Sequence, residues 1–76
     1  MTIAPDVLKA RLIELFPNSQ IIVEDTRGDQ NHYDVTIISA AFNGLNRIQQ
    51  HRLVYEGLGD WVGTAIHALS LNTLNA

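Results

Sequence analysis

Hydrophobic residues near the start of the chain recur with the spacing of an amphipathic helix. Four of them lie at i, i+4, i+7 and i+8: Leu8, Leu12, Leu15 and Phe16. This apolar stripe predicts a helix over residues 5–16. Pro5 suits its first turn, where a missing N–H costs nothing. Pro17 ends the helix, because proline cannot continue the hydrogen-bonding pattern.

The next two segments have the composition and alternation of β-strands. QIIVED at residues 20–25 is rich in β-branched side chains, and HYDVTIIS at residues 32–39 alternates apolar and polar positions. The apolar face of the second strand carries Tyr33, Val35 and Ile37, and its wetter face carries His32, Asp34 and Thr36. The polar loop 26–31 between the strands contains Gly28 as a turn residue. The pattern therefore predicts an antiparallel hairpin.

A long helical segment follows the hairpin. A turn at Phe42-Asn43-Gly44 precedes it, and the segment begins at Leu45. Five of its apolar residues can share one broad face: Leu45, Ile48, Tyr55, Leu58 and Val62. This spacing predicts a helical segment with one broad apolar face.

Glycines interrupt this helix before the last strand. GLGD at residues 57–60 predicts the break, and a short second helix through Trp61 then ends at Gly63. IHALSLNTL at residues 66–74 predicts a third strand. The element order is α–β–β–α–β, which indicates an α+β sandwich with a three-stranded mixed sheet and helices on one face. The connection into the third strand is long enough for a crossover, so strands two and three can run parallel.

Composition narrows the picture to one small domain over residues 1–76. The chain is 46% hydrophobic and contains no cysteine, so it can form no disulfide and cannot by itself supply thiolate ligands. A net charge of −3 with only five basic residues disfavours binding to nucleic acid or to an anionic membrane. The N-terminal segment lacks the apolar run of a signal peptide, and no stretch approaches the roughly 18 apolar residues of a membrane span. We therefore expect a cytoplasmic protein.

Three histidines are the candidates for chemistry. His67 opens the third strand and shares a face with Leu69 and Leu71, so it either caps the end of the core or offers a half-exposed imidazole to a metal. His32 either binds a metal or is an ordinary polar residue on the wet face of strand two. His51 lies one turn after Ile48 on the long helix, where it can help hold the helix to the sheet.

The spacing of these residues matches neither a metal fingerprint nor a catalytic set. Three histidines without cysteine, spread over 35 positions, do not form the close pairs of a structural zinc site. Ser39 and Ser70 lack a glycine-rich elbow, and the acidic residues form no recognisable pair. We therefore expect that the protein is not an enzyme.

The motifs of the chain together resemble the BolA family over nearly its whole length. The segments that carry the resemblance are VEDT (23–26), HYDVTIIS (32–39), FNG (42–44), QHRLVY (50–55) and IHALSLNT (66–73). One departure is Gln50, where many members carry arginine. Another is the C-terminus at Ala76, where many relatives continue into a further helix.

The resemblance implies a fold, a partner and a cofactor. The fold would be similar to class II KH domains. The partner would be a monothiol glutaredoxin of the CGFS type, with which BolA-like proteins hold a bridging [2Fe–2S] cluster that glutathione helps to ligate. His67 corresponds to the family's ligating histidine, and His32 is the alternative or second ligand from the preceding loop. If strands two and three are parallel, both strands begin at the same end of the sheet, and the two histidines lie near each other at that end.

The resemblance also leaves a partner surface and two other functions open. Residues Arg47, Gln50, His51 and Arg52 are candidates for binding the partner from the surface of the long helix. One alternative function is a KH-like, nucleic-acid-binding transcriptional regulator, although FNGLNR has Arg47 where the second glycine of a G-x-x-G loop should be. Another alternative is an interaction domain that binds glutaredoxin without ligating iron. Homodimerisation is also open.

Overall fold

The order of elements agrees with the sequence prediction. The computed structural model describes residues 4–26, 28, 32–64 and 68–76. The elements are α1 (Pro5–Leu15), β1 (Gln20–Asp25), β2 (His32–Ser39), a 3₁₀-helix (Ala40–Phe42), α2 (Arg47–Leu58), α3 (Trp61–Thr64) and β3 (Ala68–Asn75). The first two residues of the predicted third strand, 66 and 67, lie outside the described residues.

Within the described residues, three strands form one mixed sheet in the order β1–β2–β3. β1 is antiparallel to β2, and β2 is parallel to β3, so the predicted hairpin and the predicted crossover are both confirmed. The parallel register runs from His32 opposite Ala68 to Ser39 opposite Asn75. Both strands therefore begin at one end of the sheet and finish at the other.

The helices cover one face of the sheet and enclose the core. Leu8 and Leu12 of α1 are fully buried, as are Val35 and Ile37 of β2. Tyr33 is also buried, so the predicted alternation along β2 is confirmed. Burial of these side chains is the main force that holds the helices to the sheet.

The predicted apolar face of the second helical segment is partly confirmed: Leu58 is buried, and Val62 of α3 packs partly buried against the core. The buried residues of α2 are Gln50, Val54 and Leu58, at i, i+4 and i+8. Two other members of the predicted apolar face lie at the surface, since Ile48 is 70% exposed and Tyr55 is 38% exposed. The stripe was missed because its first member is a polar glutamine, which a search for apolar periodicity passes over.

Specific residues set the boundaries of α2. Asn46 and Gln49 form a reciprocal capping box at its start. The predicted glycine break is confirmed: α2 ends at Leu58, and Gly59 follows with a φ of +58°, a conformation that side chains disfavour. Gly57 lies inside α2, where a Cβ would come within 2.7 Å of the Leu15 side chain. That glycine permits the close approach of α1 and α2.

The 3₁₀-helix was not predicted, because its one short turn has no hydrophobic period. The sequence indicated only a turn beginning at Phe42. In the structure Phe42 is fully buried, with its ring centroid 5.3 Å from that of Phe16. The turn is thus part of the core. Across residues 4–26, 28, 32–64 and 68–76, no helix has the length and apolar character needed to cross a membrane.

Candidate functional site

His32 stands at the start of β2 on an anchored backbone. Its carbonyl oxygen accepts a hydrogen bond from the backbone N–H of Thr26 at 3.0 Å and another from the Thr26 hydroxyl at 3.2 Å. These bonds tie together the two ends of the loop between β1 and β2. The His32 side chain is half-buried. The histidine is therefore held by its backbone while part of its imidazole faces solvent.

The parallel register brings the two predicted ligand segments to one end of the sheet. Ala68, the first residue of β3, lies opposite His32. His67 immediately precedes Ala68 in the chain and lies outside the described residues. The expectation that the loop before β2 and the start of β3 meet at one end of the sheet is therefore confirmed for His32 and Ala68. The ligand roles of His32 and His67 stay predictions.

The open face of the sheet around His32 is acidic. Because side chains alternate along β2, His32 and Asp34 lie on the face opposite buried Tyr33. Glu24 is directly across from Asp34 in the antiparallel register, and Asn72 of β3 donates a hydrogen bond to the Asp34 carboxylate at 3.2 Å. Two carboxylates thus lie on the same face of the sheet as His32, and their charge favours a cationic group there over an anionic one.

The residues that the structure describes hold no complete metal site by themselves. Among the described residues, no group of three or more histidine, aspartate or glutamate side chains is placed to hold a metal ion. Neutral imidazole is a suitable ligand for iron, and His32 is accessible. With no cysteine in the chain, any thiolate ligand must come from another molecule.

The expectation that Gln50 lies on the helical surface is wrong. Gln50 is only 7% exposed, and its side chain joins the 3₁₀-helix, α2 and β3. Its amide nitrogen lies within hydrogen-bonding distance of three acceptors: the Phe42 carbonyl (3.3 Å), the Leu45 carbonyl (2.9 Å) and Asn75 Oδ1 (3.1 Å). Its amide oxygen accepts from the Thr73 hydroxyl at 2.6 Å. These contacts make Gln50 a structural residue, because a buried amide must satisfy its hydrogen bonds internally.

The other three predicted partner-binding residues do not form one patch. Arg47 and His51 lie one turn apart and line a cleft of about 190 Å³ between α2 and β3. Arg52 lines a different cleft with Leu53. Neighbouring positions on a helix point about 100° apart, so residues 50, 51 and 52 face three directions. The position of His51 beside β3 fits the prediction that it helps to join the helix to the sheet.

Sequence analysis missed the residues that support these positions. Thr26 secures His32, and the hairpin register could have identified it, since Asp25 opposite Tyr33 makes Thr26 and His32 the next pair. Thr73 bonds to Gln50 across a gap of 23 positions. No local sequence signal indicates that contact, because it depends on the packing of α2 over β3.

Comparisons with known proteins agree with the fold. A family model described as BolA-like protein matches residues 8–76. The uncharacterized protein RP812 of Rickettsia prowazekii (strain Madrid E) is 39% identical over 75 residues, covering 99% of this chain and 97% of that protein. The DNA-binding transcriptional regulator BolA of Vibrio cholerae serotype O1 is 33% identical over 75 residues, covering 90% and 71%. The solved structure of BolA1 from Arabidopsis thaliana superimposes with a TM-score of 0.83 at 28% identity, covering 99% and 94%.

Proposed function

The chain belongs to the BolA-like protein family, and from that premise we propose that it is a glutaredoxin-binding adaptor. It docks on a monothiol CGFS glutaredoxin and shares a bridging [2Fe–2S] cluster with it, for cluster trafficking or for iron and redox regulation. The chain contributes the imidazole of His67 and, as second ligand, that of His32. The cysteine of glutaredoxin and the thiolate of glutathione supply the other ligands. The adaptor catalyses no reaction and acts in the cytoplasm.

The observation that supports this proposal most is the register of the parallel strands. His32 lies opposite Ala68, the residue that follows His67, although the two segments are far apart in sequence. Thr26 fixes the backbone of His32 from the loop side. A partner that approaches this end of the sheet meets both segments at once.

The chemistry of imidazole suits a cluster that is passed on. Replacing thiolate by neutral imidazole removes negative charge from the cluster and raises its reduction potential. Imidazole can also be protonated, and protonation releases the metal. Glu24 and Asp34 share the face of His32, so an anionic cluster is disfavoured there, and we rank His67 above His32 as the ligand.

Visible circular dichroism of an anaerobic mixture tests the proposal. The chain is mixed with a CGFS glutaredoxin, glutathione, iron and sulfide. We expect a spectrum that differs from that of the glutaredoxin homodimer, is lost in His67→Ala and is altered in His32→Ala. Lys9→Ala is the control, since Lys9 is an exposed residue of α1 that is neither a proposed ligand nor a candidate partner-binding residue. An unchanged homodimer spectrum at saturating chain would refute cluster sharing.

A binding measurement separates cluster sharing from simple docking. The double variant His32→Ala/His67→Ala is titrated against iron-free glutaredoxin by calorimetry. If the variant docks normally but forms no mixed cluster, the histidines are ligands. If the wild-type chain docks and never forms a mixed cluster, the chain is an interaction domain without an iron role.

A nucleic-acid-binding regulator is the second candidate, because the relative from Vibrio cholerae is named as a DNA-binding regulator. Gly44, with a φ of +81°, lies in the turn before α2. Arg47 occupies the place of the second glycine of a KH loop, and a net charge of −3 opposes binding to phosphates. Tight, salt-sensitive binding to DNA without glutaredoxin would favour this function.

A further inference from the structure

The cleft between α2 and β3 lies along a strand edge. Its lining includes four consecutive residues of β3, from Leu71 to Leu74. Consecutive side chains of a strand point to opposite faces of the sheet. A cleft that contacts all four must therefore run beside the strand and reach its backbone.

This edge of β3 pairs with no other described strand. β3 is the last strand in the order β1–β2–β3, and β2 occupies its inner side. Alternate residues of β3 consequently direct their N–H and C=O groups outward. Such an edge is a template for the addition of another strand.

The helix side of the cleft carries hydrogen-bond donors and positive charge. Arg47 and His51 line it, and its lining contains no aspartate or glutamate. Arg47 is exposed and forms no ion pair with any residue that the structure describes. The N-terminus of α2 lies here as well, and its backbone dipole also favours negative charge. On a chain with a net charge of −3, the lining of this cleft is thus locally positive.

We propose that the outer edge of β3 binds an extended, acidic peptide segment of a partner protein as a fourth strand. The backbone of the peptide pairs with the residues between Leu71 and Leu74. A carboxylate of the peptide reaches the Arg47 guanidinium and the His51 imidazole. Four strand residues span roughly 13 Å, which is enough for two side chains of the peptide to face the helix.

The chemistry of the cleft favours a peptide over nucleic acid or a second copy of the chain. The outward N–H and C=O groups along the edge of β3 can pair with those of another peptide backbone. A nucleic acid has no such regular series of amide groups. Pairing β3 with its own copy would bring two cationic edges together, since each edge carries Arg47. The positive charge of Arg47 beside the cleft favours a peptide that carries carboxylates.

This surface is separate from the proposed cluster site. The cleft begins at Leu71, three residues along β3 from Ala68, and extends away from the end where His32 lies. Strand spacing puts the near edge of the cleft about 10 Å from Ala68. The inference holds without the proposed iron role, and its test contains no iron and no glutaredoxin.

The test uses a fluorescent peptide of alternating valine and glutamate, with a valine–lysine peptide as its charge-reversed control. We expect the acidic peptide to bind and to shift the backbone amide NMR signals of residues 71–74. Arg47→Gln should weaken binding about tenfold, since a partly exposed charge-assisted hydrogen bond is lost. Arg52→Gln is the matched control: it makes the same charge change on the same helix but faces another cleft, and binding should be retained.

A second probe tests the strand geometry without altering the protein. The same acidic peptide with alternate backbone nitrogens methylated keeps its carboxylates but cannot pair with a strand, and we expect it not to bind. Equal binding of the methylated peptide would overturn strand addition. Equal losses in Arg47→Gln and Arg52→Gln would overturn the cleft as the site. The proposal is also refuted if a single-stranded oligonucleotide or self-association shifts residues 71–74 and the acidic peptide does not.

Discussion

The two ends of the parallel β2–β3 pair differ in the burial of their polar side chains. At the end where Ser39 lies opposite Asn75, Ser39 and the nearby Gln50 are buried and hydrogen-bonded within the protein. At the end where His32 faces Ala68, His32 is half-exposed and carboxylates lie on its face. We call these the closed end and the histidine end.

The closed end is saturated with internal hydrogen bonds. The Ser19 hydroxyl donates to the Ser39 hydroxyl at 2.8 Å, and Ser39 Oγ accepts from the backbone N–H of Ala41 at 3.1 Å. Gln50 adds its contacts to Thr73 and Asn75. Side-chain groups that satisfy one another in this way stabilise the fold.

The difference indicates that burial, more than residue type, marks a polar residue as structural. Gln50 and His32 were both candidates for binding. The Gln50 amide is buried and hydrogen-bonds to other groups of the protein, whereas His32 is partly exposed to solvent. Substitutions at the closed end should therefore cost stability, and those at the histidine end should cost function.

The largest loss of stability is expected at Phe42, the apolar centre of the closed end. Phe42→Ala removes a fully buried ring that packs on Phe16, and it should lower the free energy of unfolding by about 3–5 kcal/mol. Urea denaturation followed by circular dichroism measures the change. Ile48→Ala is the control, because Ile48 is 70% exposed and its loss should have little effect. Similar losses in both variants would contradict a packed closed end.

Removal of the buried amide should have the next largest effect. Gln50→Ala leaves Thr73 and the Leu45 carbonyl without a partner, so we expect a loss of about 2–3 kcal/mol in the free energy of unfolding. Arg52→Ala, on the exposed side of the same helix, should stay within about 0.5 kcal/mol of wild type. A Gln50→Ala variant as stable as Arg52→Ala would show that the network contributes nothing.

A smaller effect is expected at the cap of α2. Asn46→Ala breaks the capping box with Gln49 and should cost about 1 kcal/mol. Asn46→Asp retains an acceptor at the cap and should recover most of this loss. The difference in thermal midpoint between the two variants measures the contribution of the cap. Equal midpoints for both variants would contradict it.

The smallest effect on stability is expected at the histidine end. His32→Ala removes a half-exposed side chain, and its free energy of unfolding should stay within about 0.5 kcal/mol of wild type. The same variant should still alter the spectrum of the mixed cluster. A loss of stability as large as that of Gln50→Ala would make His32 a structural residue and remove the contrast between the two ends.

Periodicity was sufficient to predict most of the fold. The bounds of β1 and β2 agree with the structure, and α1 ends one residue before the predicted position. The length of the connection permitted a parallel pairing of β2 and β3, and the structure has that pairing. These features depend on local patterns or on the reach of the chain, and both can be read from sequence.

The parts that sequence analysis missed depend on contacts between distant segments. The buried face of α2 contains Gln50, whose burial is tolerated only because Thr73 and Asn75 meet it. The 3₁₀-helix is too short to show a period. Of the candidate site, the pairing of His32 with the start of β3 was predictable, but the separation of Arg47 and His51 from Arg52 required the orientation of α2.

The parallel pairing of β2 and β3 also sets the order in which the site can form during folding. The β1–β2 hairpin, with its Thr26–His32 tie, is local and can form within microseconds. The β2–β3 pair must wait until the 3₁₀-helix, α2 and α3 have closed the crossover, and such long-range pairing is slow. His32 is therefore in place early, but Ala68 reaches it late. If metal binds at this end of the sheet, its binding would show that the tertiary fold is complete.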